Sequence, residues 1–558
     1  MYPLSLAGFT DIFTTNQIVI YLIISFSNAL LLFFASMKFL LVLQQCGYRG
    51  RRYFRWLGNK ETPYMSRLIL LCLLAFLFFC VLNMCFFSLA GQTITSFIGF
   101  CSYVLFAIIY INTESHVNAK IPLKKTKRLV RLCISYFILL IAFTFGLLVL
   151  LDYLAFLLND NVVAVLRFSV ICLTPMLIPY ILIMAYGVNE PFEAIGRVHY
   201  QRQAVYKLDN SDVIKIGITG SYGKTSVKEM LKTILSQKYR VLATPASYNT
   251  PLGIALTAKH LDSTHDVFIA EMGARSKGEI KELARMVKPR FGILTGVNNQ
   301  HLESFGDVET IKNTKFELFE NLAENGVGFF SSDNEGARGL MERFNGEKYS
   351  AGIFGEDNLV SATEIKTVNR GMVFKLNIKG EKPVECRTTL LGEHSVKNIC
   401  LAASVAYKVG LTPKEIAVGI NRIQTVGHRL ELLPNNKNIV IIDDSYNSSV
   451  DGFNAAMNVL DMFEGRKIVL TPGLVELGKM ENLANFEMGK TLARHADIVI
   501  VIGKHNAVML IDGMIEAGMD RENIKFARTL NKGNELLNSI MAEGDVVLFE
   551  NDLPDNYN

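Results

Sequence analysis

At 558 residues the chain is too long for one ordinary domain, and half of it is hydrophobic, with a mean hydropathy of +0.26. Its net charge of +5 lies largely in short loops beside apolar stretches, which argues against a nucleic-acid-binding surface. The nine cysteines are scattered with no C-x-x-C pair, so the sequence indicates neither a zinc site nor a disulfide framework.

The apolar residues crowd the first third. Five stretches there are long enough to cross a bilayer as helices: Ile18–Leu43, Leu68–Ala90, Ile94–Ile111, Leu129–Leu151 and Val162–Tyr186. Arg49, Arg51, Arg52, Arg55 and Lys60 follow the first. Lys120, Lys124, Lys125, Lys127 and Arg128 follow the third. The loops after the second and fourth carry no Lys or Arg, so the positive-inside rule places the N-terminus outside and the C-terminal region in the cytoplasm. Tyr53 and Trp56 beside the first basic cluster suit an interfacial belt or ordinary surface aromatics. Pro175 and Pro179 predict a kink in the fifth stretch, and Lys38 and Arg167 stand close enough to a span end to snorkel. Intramembrane carboxylate chains, expected of an ion-driven transporter, are absent from the sequence. Residues 190–212 read as a polar connector.

The soluble part opens with Ile214–Lys228. A β-branched run reads as a buried strand, turns through Gly220 and Gly223, and meets Lys224-Thr225-Ser226 at the start of a helical pattern. Strand, glycine turn and helix N-terminus together hold phosphate: backbone N–H groups face the anion, Lys224 adds charge, and a Thr hydroxyl can ligate Mg²⁺. The spacing departs from the common P-loop, since Ile218 stands where that pattern needs glycine. The next strand, Asp266–Gly273, ends near Glu271. Another, from Phe291, leads to Asn298-Asn-Gln-His-Leu-Glu303, and a helix then carries Lys312, Lys315 and Glu317. This alternation predicts a parallel sheet with helices on both faces, and ligands bind such sheets at the C-terminal edge. Glu271 and His301 are sensible Mg²⁺ partners for a triphosphate held by the loop. Taken singly, such a Glu is as often a cap and such a His a structural residue.

From about Val213 onward the sequence resembles the Mur ligase family, whose members form amide bonds at the expense of ATP. The branch it resembles most completes the muramoyl pentapeptide of peptidoglycan with D-alanyl-D-alanine. The motifs that carry the likeness stand in the family's order: Thr219–Ser226, Tyr248–Gly253, Glu271–Ala274, Gly278–Ile280, Asn298–Glu303, Thr314–Leu318, Gly392–Asn398, Gly427–Glu431, Asp443–Asn447 and Val475–Gly478. The resemblance implies that Thr219, Gly220, Ser221, Tyr222, Gly223, Lys224, Thr225 and Ser226 cradle the ATP phosphates. It implies that Thr225, Glu271 and His301 hold Mg²⁺, and that Lys315 is carbamylated and helps hold a second ion. Asn398 would contact adenine, Arg429 a phosphate, and Asp444 the nucleotide from a mobile C-terminal domain. Two departures stand out. Val450 replaces a usual proline, and Thr471-Pro-Gly473 replaces a usual Leu-Gly-Asp-Met. The family's uridine-nucleotide domain also has no counterpart, because apolar stretches stand in its place.

The expected architecture is therefore a helical membrane region (1–189), a connector (190–212), an α/β ATP-binding domain (213–425) and a smaller Rossmann-like C-terminal domain (426–558). The expected protein is a bacterial, multi-pass membrane ligase with cytoplasmic catalytic domains. It would join a cell-wall peptide precursor to an amino-acid or dipeptide acceptor through an acyl phosphate. Membrane lipid and cell-wall synthesis proteins are the expected neighbours of its helices, and nucleic acid is not an expected partner. The rival readings are a ligase of the same chemistry acting on another polymer, as poly-γ-glutamate synthetases do, and a nucleotide-regulated membrane protein with a degenerate ligase domain.

Overall fold

A computed structural model describes residues 15–58, 63–115, 123–155, 160–246, 248–298, 305–368, 371–434, 438–446, 449–475, 477 and 480–551. The chain divides into two units, Met1–Gly196 and Arg197–Asn558.

The first unit is helical: Thr15–Ala35, Met37–Gln45, Gly50–Leu57, Pro63–Ser115, Lys127–Ala155 and Asp160–Leu173. A 3₁₀ turn, Thr174–Leu177, then leads into Ile178–Asp209. Among the described residues, three helical stretches are long and apolar enough to cross a membrane: Thr15–Ala35, Lys127–Tyr153 and Ser169–Asp209. The second and third expected spans are not separate helices. They form one 53-residue helix, Pro63–Ser115, with shorter apolar pieces at Arg67–Val81 and Ile98–Thr113. The polar Gly91-Gln-Thr interruption lacks a proline, and a lone glycine does not break a helix. The expected break at Pro175 is the 3₁₀ turn. Residues 190–209 of the expected connector are helical, with Pro191 inside the helix.

Several polar groups inside this unit are paired with one another. Asn28 accepts from the Tyr103 hydroxyl (2.7 Å) and donates to Thr144 and Thr174 (3.3 Å each), which joins four helical segments. Arg167 does not stand alone as a snorkelling cation. It pairs with Asp152, which also accepts from Tyr21. Tyr53 and Trp56 are buried against Phe39 rather than belted at a surface.

In the second unit the predicted alternation of strand and helix gives two sheets. The first contains β1 (Ile214–Thr219), β2 (Val241–Ala243), β3 (Val267–Glu271), β4 (Phe291–Leu294), β5 (Val327–Ser331), β6 (Glu347–Gly352), β7 (Val360–Val368), β8 (Gly371–Ile378) and β9 (Val384–Thr388), in the order β2-β3-β1-β4-β5-β6-β7-β8-β9. Pairing is parallel as far as β7, and β7–β8–β9 is an antiparallel extension. Ile216 and Ile218 face a core shared with helices Lys224–Leu235, Glu393–Val409 and Pro413–Asn421. The other face packs Phe268 and Ala270 against helices Pro251–Ala258, Glu279–Val287 and Val308–Glu320, joined by Ala204 and Leu208. The strand order reverses beside β1, which places its C-terminal end at the crevice where doubly wound sheets take ligands.

The second sheet contains β10 (Glu431–Leu433), β11 (Val440–Asp444), β12 (Lys467–Thr471), β13 (Ile498–Ile502), β14 (Ile524–Ala527) and β15 (Val546–Glu550), in the order β10-β11-β15-β12-β13-β14. All pairs are parallel except β10–β11.

Candidate nucleotide and metal site

β1 delivers the chain to the sheet edge at Thr219, whose hydroxyl donates to the Met272 carbonyl at 3.0 Å. The next turn needs glycine at two places. Gly220 has φ 152°, and a Cβ there would strike Thr295 Oγ1. Gly223 caps helix Lys224–Leu235 in the left-handed region (φ 73°), and a Cβ would lie 3.2 Å from Asn398 Oδ1. The loop is braced from the β4 side. Ser221 N–H donates to the Gly296 carbonyl (2.8 Å), Ser221 Oγ accepts from Asn298 N–H (3.2 Å), and the Tyr222 carbonyl accepts from Thr295. The Tyr222 hydroxyl accepts from Asn334 at 3.2 Å, and burial pushes its pKa up to about 12. Lys224 folds over the loop and donates to the carbonyls of Gly220 (2.7 Å) and Ser221 (3.2 Å). Burial pulls its ammonium down to about 8; Glu271 opposes this and Arg429 adds to it.

Register sets Glu271 beside the loop, because Ile218 pairs with Glu271 across β1 and β3. The carboxylate is 1% exposed and both of its oxygens are engaged. Oε1 accepts from Asn249 (3.2 Å) and Oε2 pairs with Lys228 (3.3 Å). Lys315, on helix Val308–Glu320, is buried with its amine 5.9 Å from the Phe305 ring centroid. Burial brings it down to about 7; Lys224 adds to that effect, while Glu279 and Glu317 oppose it. Glu317, two residues on, accepts from the N–H groups of Gly278 (2.8 Å) and Lys281 (3.0 Å), and so caps helix Glu279–Val287. His301 lies outside the described residues, as do Asn299, Gln300, Leu302, Glu303, Asn447, Glu476 and Gly478 of the quoted motifs.

A cavity of about 660 Å³ opens between this loop and the second sheet. Its lining includes Tyr222, Ser226, Asn334, Asn398, Arg429 and Asp444, and the volume is ordinary for a nucleotide-sized ligand. Arg429 stands between two residues in left-handed backbone, His428 (φ 62°) and Leu430 (φ 47°), with its guanidinium 4.6 Å from the Tyr446 ring centroid. Asp444 accepts from Leu430 N–H at 3.2 Å, and burial lifts its carboxyl to about 6. The described residues contain no cluster of three His, Cys, Asp or Glu side chains suited to a metal. One buried carboxylate beside a phosphate-binding loop instead fits Mg²⁺ that keeps phosphate oxygens and water as most of its ligands.

The comparisons with known proteins agree with this geometry. Residues 218–406 match the Mur ligase middle domain and residues 428–550 match the Mur ligase glutamate ligase domain. The UDP-N-acetylmuramoyl-tripeptide–D-alanyl-D-alanine ligase of Escherichia coli is 30% identical over 311 residues, covering 55% of this chain and 68% of that protein. The chain belongs to the Mur ligase family. The Bacillus subtilis ligase of the same name is 28% identical over 341 residues, covering 60% of this chain and 72% of that one. The crystal structure of MurF from Acinetobacter baumannii superposes with a TM-score of 0.58 at 26% identity, over 64% of this chain and 77% of that one. This Mur ligase is accordingly an ATP-dependent, ADP-forming ligase of a family that uses ATP and Mg²⁺.

Of the residues expected from the sequence, Tyr222, Gly223, Ser226, Asn398, Arg429 and Asp444 border one cavity. Lys224 lies within electrostatic range of Glu271, Arg429 and Lys315. The comparisons lend no support to the expected carbamate on Lys315. Sequence reasoning missed Lys228, Asn249, Asn334 and Asp451. For Lys228 a signal existed: it lies on the same helical face as Leu231 and Leu235, a spacing that buries it.

Proposed function

We propose that this Mur ligase is membrane-bound and completes a peptidoglycan peptide, joining a D-alanyl-D-alanine-type amine to the terminal carboxylate of a muramoyl tripeptide. The observation that carries the reading is the cavity walled on one side by the phosphate loop and on the other by Arg429 and Asp444. In the first step the substrate carboxylate attacks the γ-phosphorus of ATP and releases ADP, giving an acyl phosphate. The amine then attacks the acyl carbon and displaces phosphate. Both steps move negative charge between oxygens, which Lys224, Arg429 and the N–H groups at the start of helix Lys224–Leu235 would balance. Thr225, Glu271 and His301 would hold Mg²⁺, Asn398 would meet the adenine, and Asp444 would meet the nucleotide from the domain over 426–558. Lys315 enters as a buried free amine near the γ-phosphate end. Bound Mg²⁺ would neutralise charge on the transferring phosphoryl group.

The helices of the first unit and the basic loops between them support membrane attachment of 1–189, with the ligase domains 213–425 and 426–558 on the cytoplasmic side. Attachment near a bilayer raises the effective concentration of a lipid-linked substrate, which favours such a substrate over the free uridine nucleotide. The test is to incubate full-length protein in lipid with ATP, the dipeptide, and either the nucleotide-linked or a lipid-linked tripeptide, following ADP release and product mass. Ligation of both at equal efficiency would remove the lipid preference, and ligation of neither would remove the peptidoglycan reading.

A further inference from the structure

Lys228 is fully buried, and its ammonium is shared among three acceptors. They are Glu271 Oε2 at 3.3 Å, Glu229 Oε1 at 3.4 Å and the Ala246 carbonyl. A lysine with no exposed surface carries a large desolvation cost, so it persists only where its partners are fixed. Glu271 is fixed: its other oxygen accepts from Asn249 and its backbone N–H donates to Thr244 Oγ1 at 3.0 Å. The charges around the carboxylate also balance, with Lys228 and Lys224 facing Glu271 and Glu229. A divalent cation reaching Glu271 without nucleotide therefore meets a carboxylate already neutralised by an internal cation, in a neighbourhood with no net negative charge. A cation that arrives on a triphosphate brings its own anionic ligands and needs from Glu271 little more than orientation.

We infer that Lys228 is a positioning residue that holds Glu271 as an internal ion pair, so that the divalent cation binds only together with nucleotide. The inference rests on the reading of Glu271 as a Mg²⁺ ligand, and the test separates the two. Mn²⁺ binding to full-length protein is measured by electron paramagnetic resonance, with and without a non-hydrolysable ATP analogue. Wild-type protein should bind Mn²⁺ weakly alone and tightly with the analogue. Lys228→Met should bind nucleotide-free Mn²⁺ about tenfold more tightly or better, the scale of removing a unit charge at contact range. Asn249→Ala, which removes a neutral partner, should leave nucleotide-free binding weak. Tight nucleotide-free binding by wild type overturns the inference whether or not any variant folds, and so does unchanged weak binding by a folded Lys228→Met. Glu271→Gln should weaken Mn²⁺ binding in the ternary complex; if it does not, the reading of Glu271 as a ligand fails.

Discussion

The side-chain amide of Asn298 donates to Asp451 across 2.9 Å, while its backbone N–H donates to Ser221 in the phosphate loop. One residue after β4 thus ties the loop to helix Val450–Leu460 of the C-terminal domain. A solvent-accessible hydrogen bond of this kind contributes about 1 kcal/mol. Asp451→Ala should therefore raise KM for ATP about three- to tenfold with a much smaller change in kcat. Steady-state kinetics would count against the tie if KM stayed at the wild-type value.

Lys224 is buried as a cation at a cost, which is why its pKa falls to about 8. Lys224→Ala should leave the nucleotide-free Tm unchanged or higher, while turnover falls about 10²–10³-fold through lost charge stabilisation. Differential scanning calorimetry and ADP release measure the two halves separately. A variant with a lower Tm and intact turnover would reverse the assignment.

Burial holds Lys315 near 7, against an ordinary lysine value of 10.5. Between those values the unfolded chain binds a proton that the folded chain does not, so stability rises with pH across the window. Below about 7 the penalty of a buried ammonium is complete. Lys315→Met removes this dependence, and its Tm advantage over wild type should be larger at about pH 6.5 than at about pH 9.5. Melting curves at the two pH values check this, and an equal offset at both would show that Lys315 keeps an ordinary pKa.

The two basic loops, 49–60 and 120–128, predict a common cytoplasmic side. Impermeant thiol reagents should label an engineered cysteine near Asn159 from outside, and should not label one near Lys125. A helix of 53 residues would be about 80 Å long if straight, well beyond one bilayer crossing. Labelling at Lys125 from outside would invert the topology.

The phosphate loop was legible because strand, glycine turn and helix start each leave a local signature. The sequence of β11, β12, β13 and β15 is a set of apolar runs, the pattern of parallel strands buried on both faces. β14, Ile524–Ala527, escaped because an edge strand needs only one covered side, and Phe526 is exposed. The ion pair of Lys228 with Glu271 joins residues 43 apart, and no local pattern encodes a partner so distant. Helix through residues 190–209 was hidden by a polar composition with a proline in it. There Ala204 and Leu208 bury a narrow stripe on the ligase core, while Phe192, Ile195 and Tyr206 stay exposed among the polar residues and blur the pattern.

Arg429 is presented by a backbone that resists presenting it. Left-handed φ at both neighbours, one of them a leucine, costs energy of order 1–3 kcal/mol at each, and the rest of the fold carries that load. Leu430→Gly would slacken it, because glycine adopts this geometry freely. The guanidinium of Arg429 would then be held less strictly. A loosely held cation would balance charge on the transferred phosphoryl group less well, so the strain beside Arg429 sets how precisely it meets that charge.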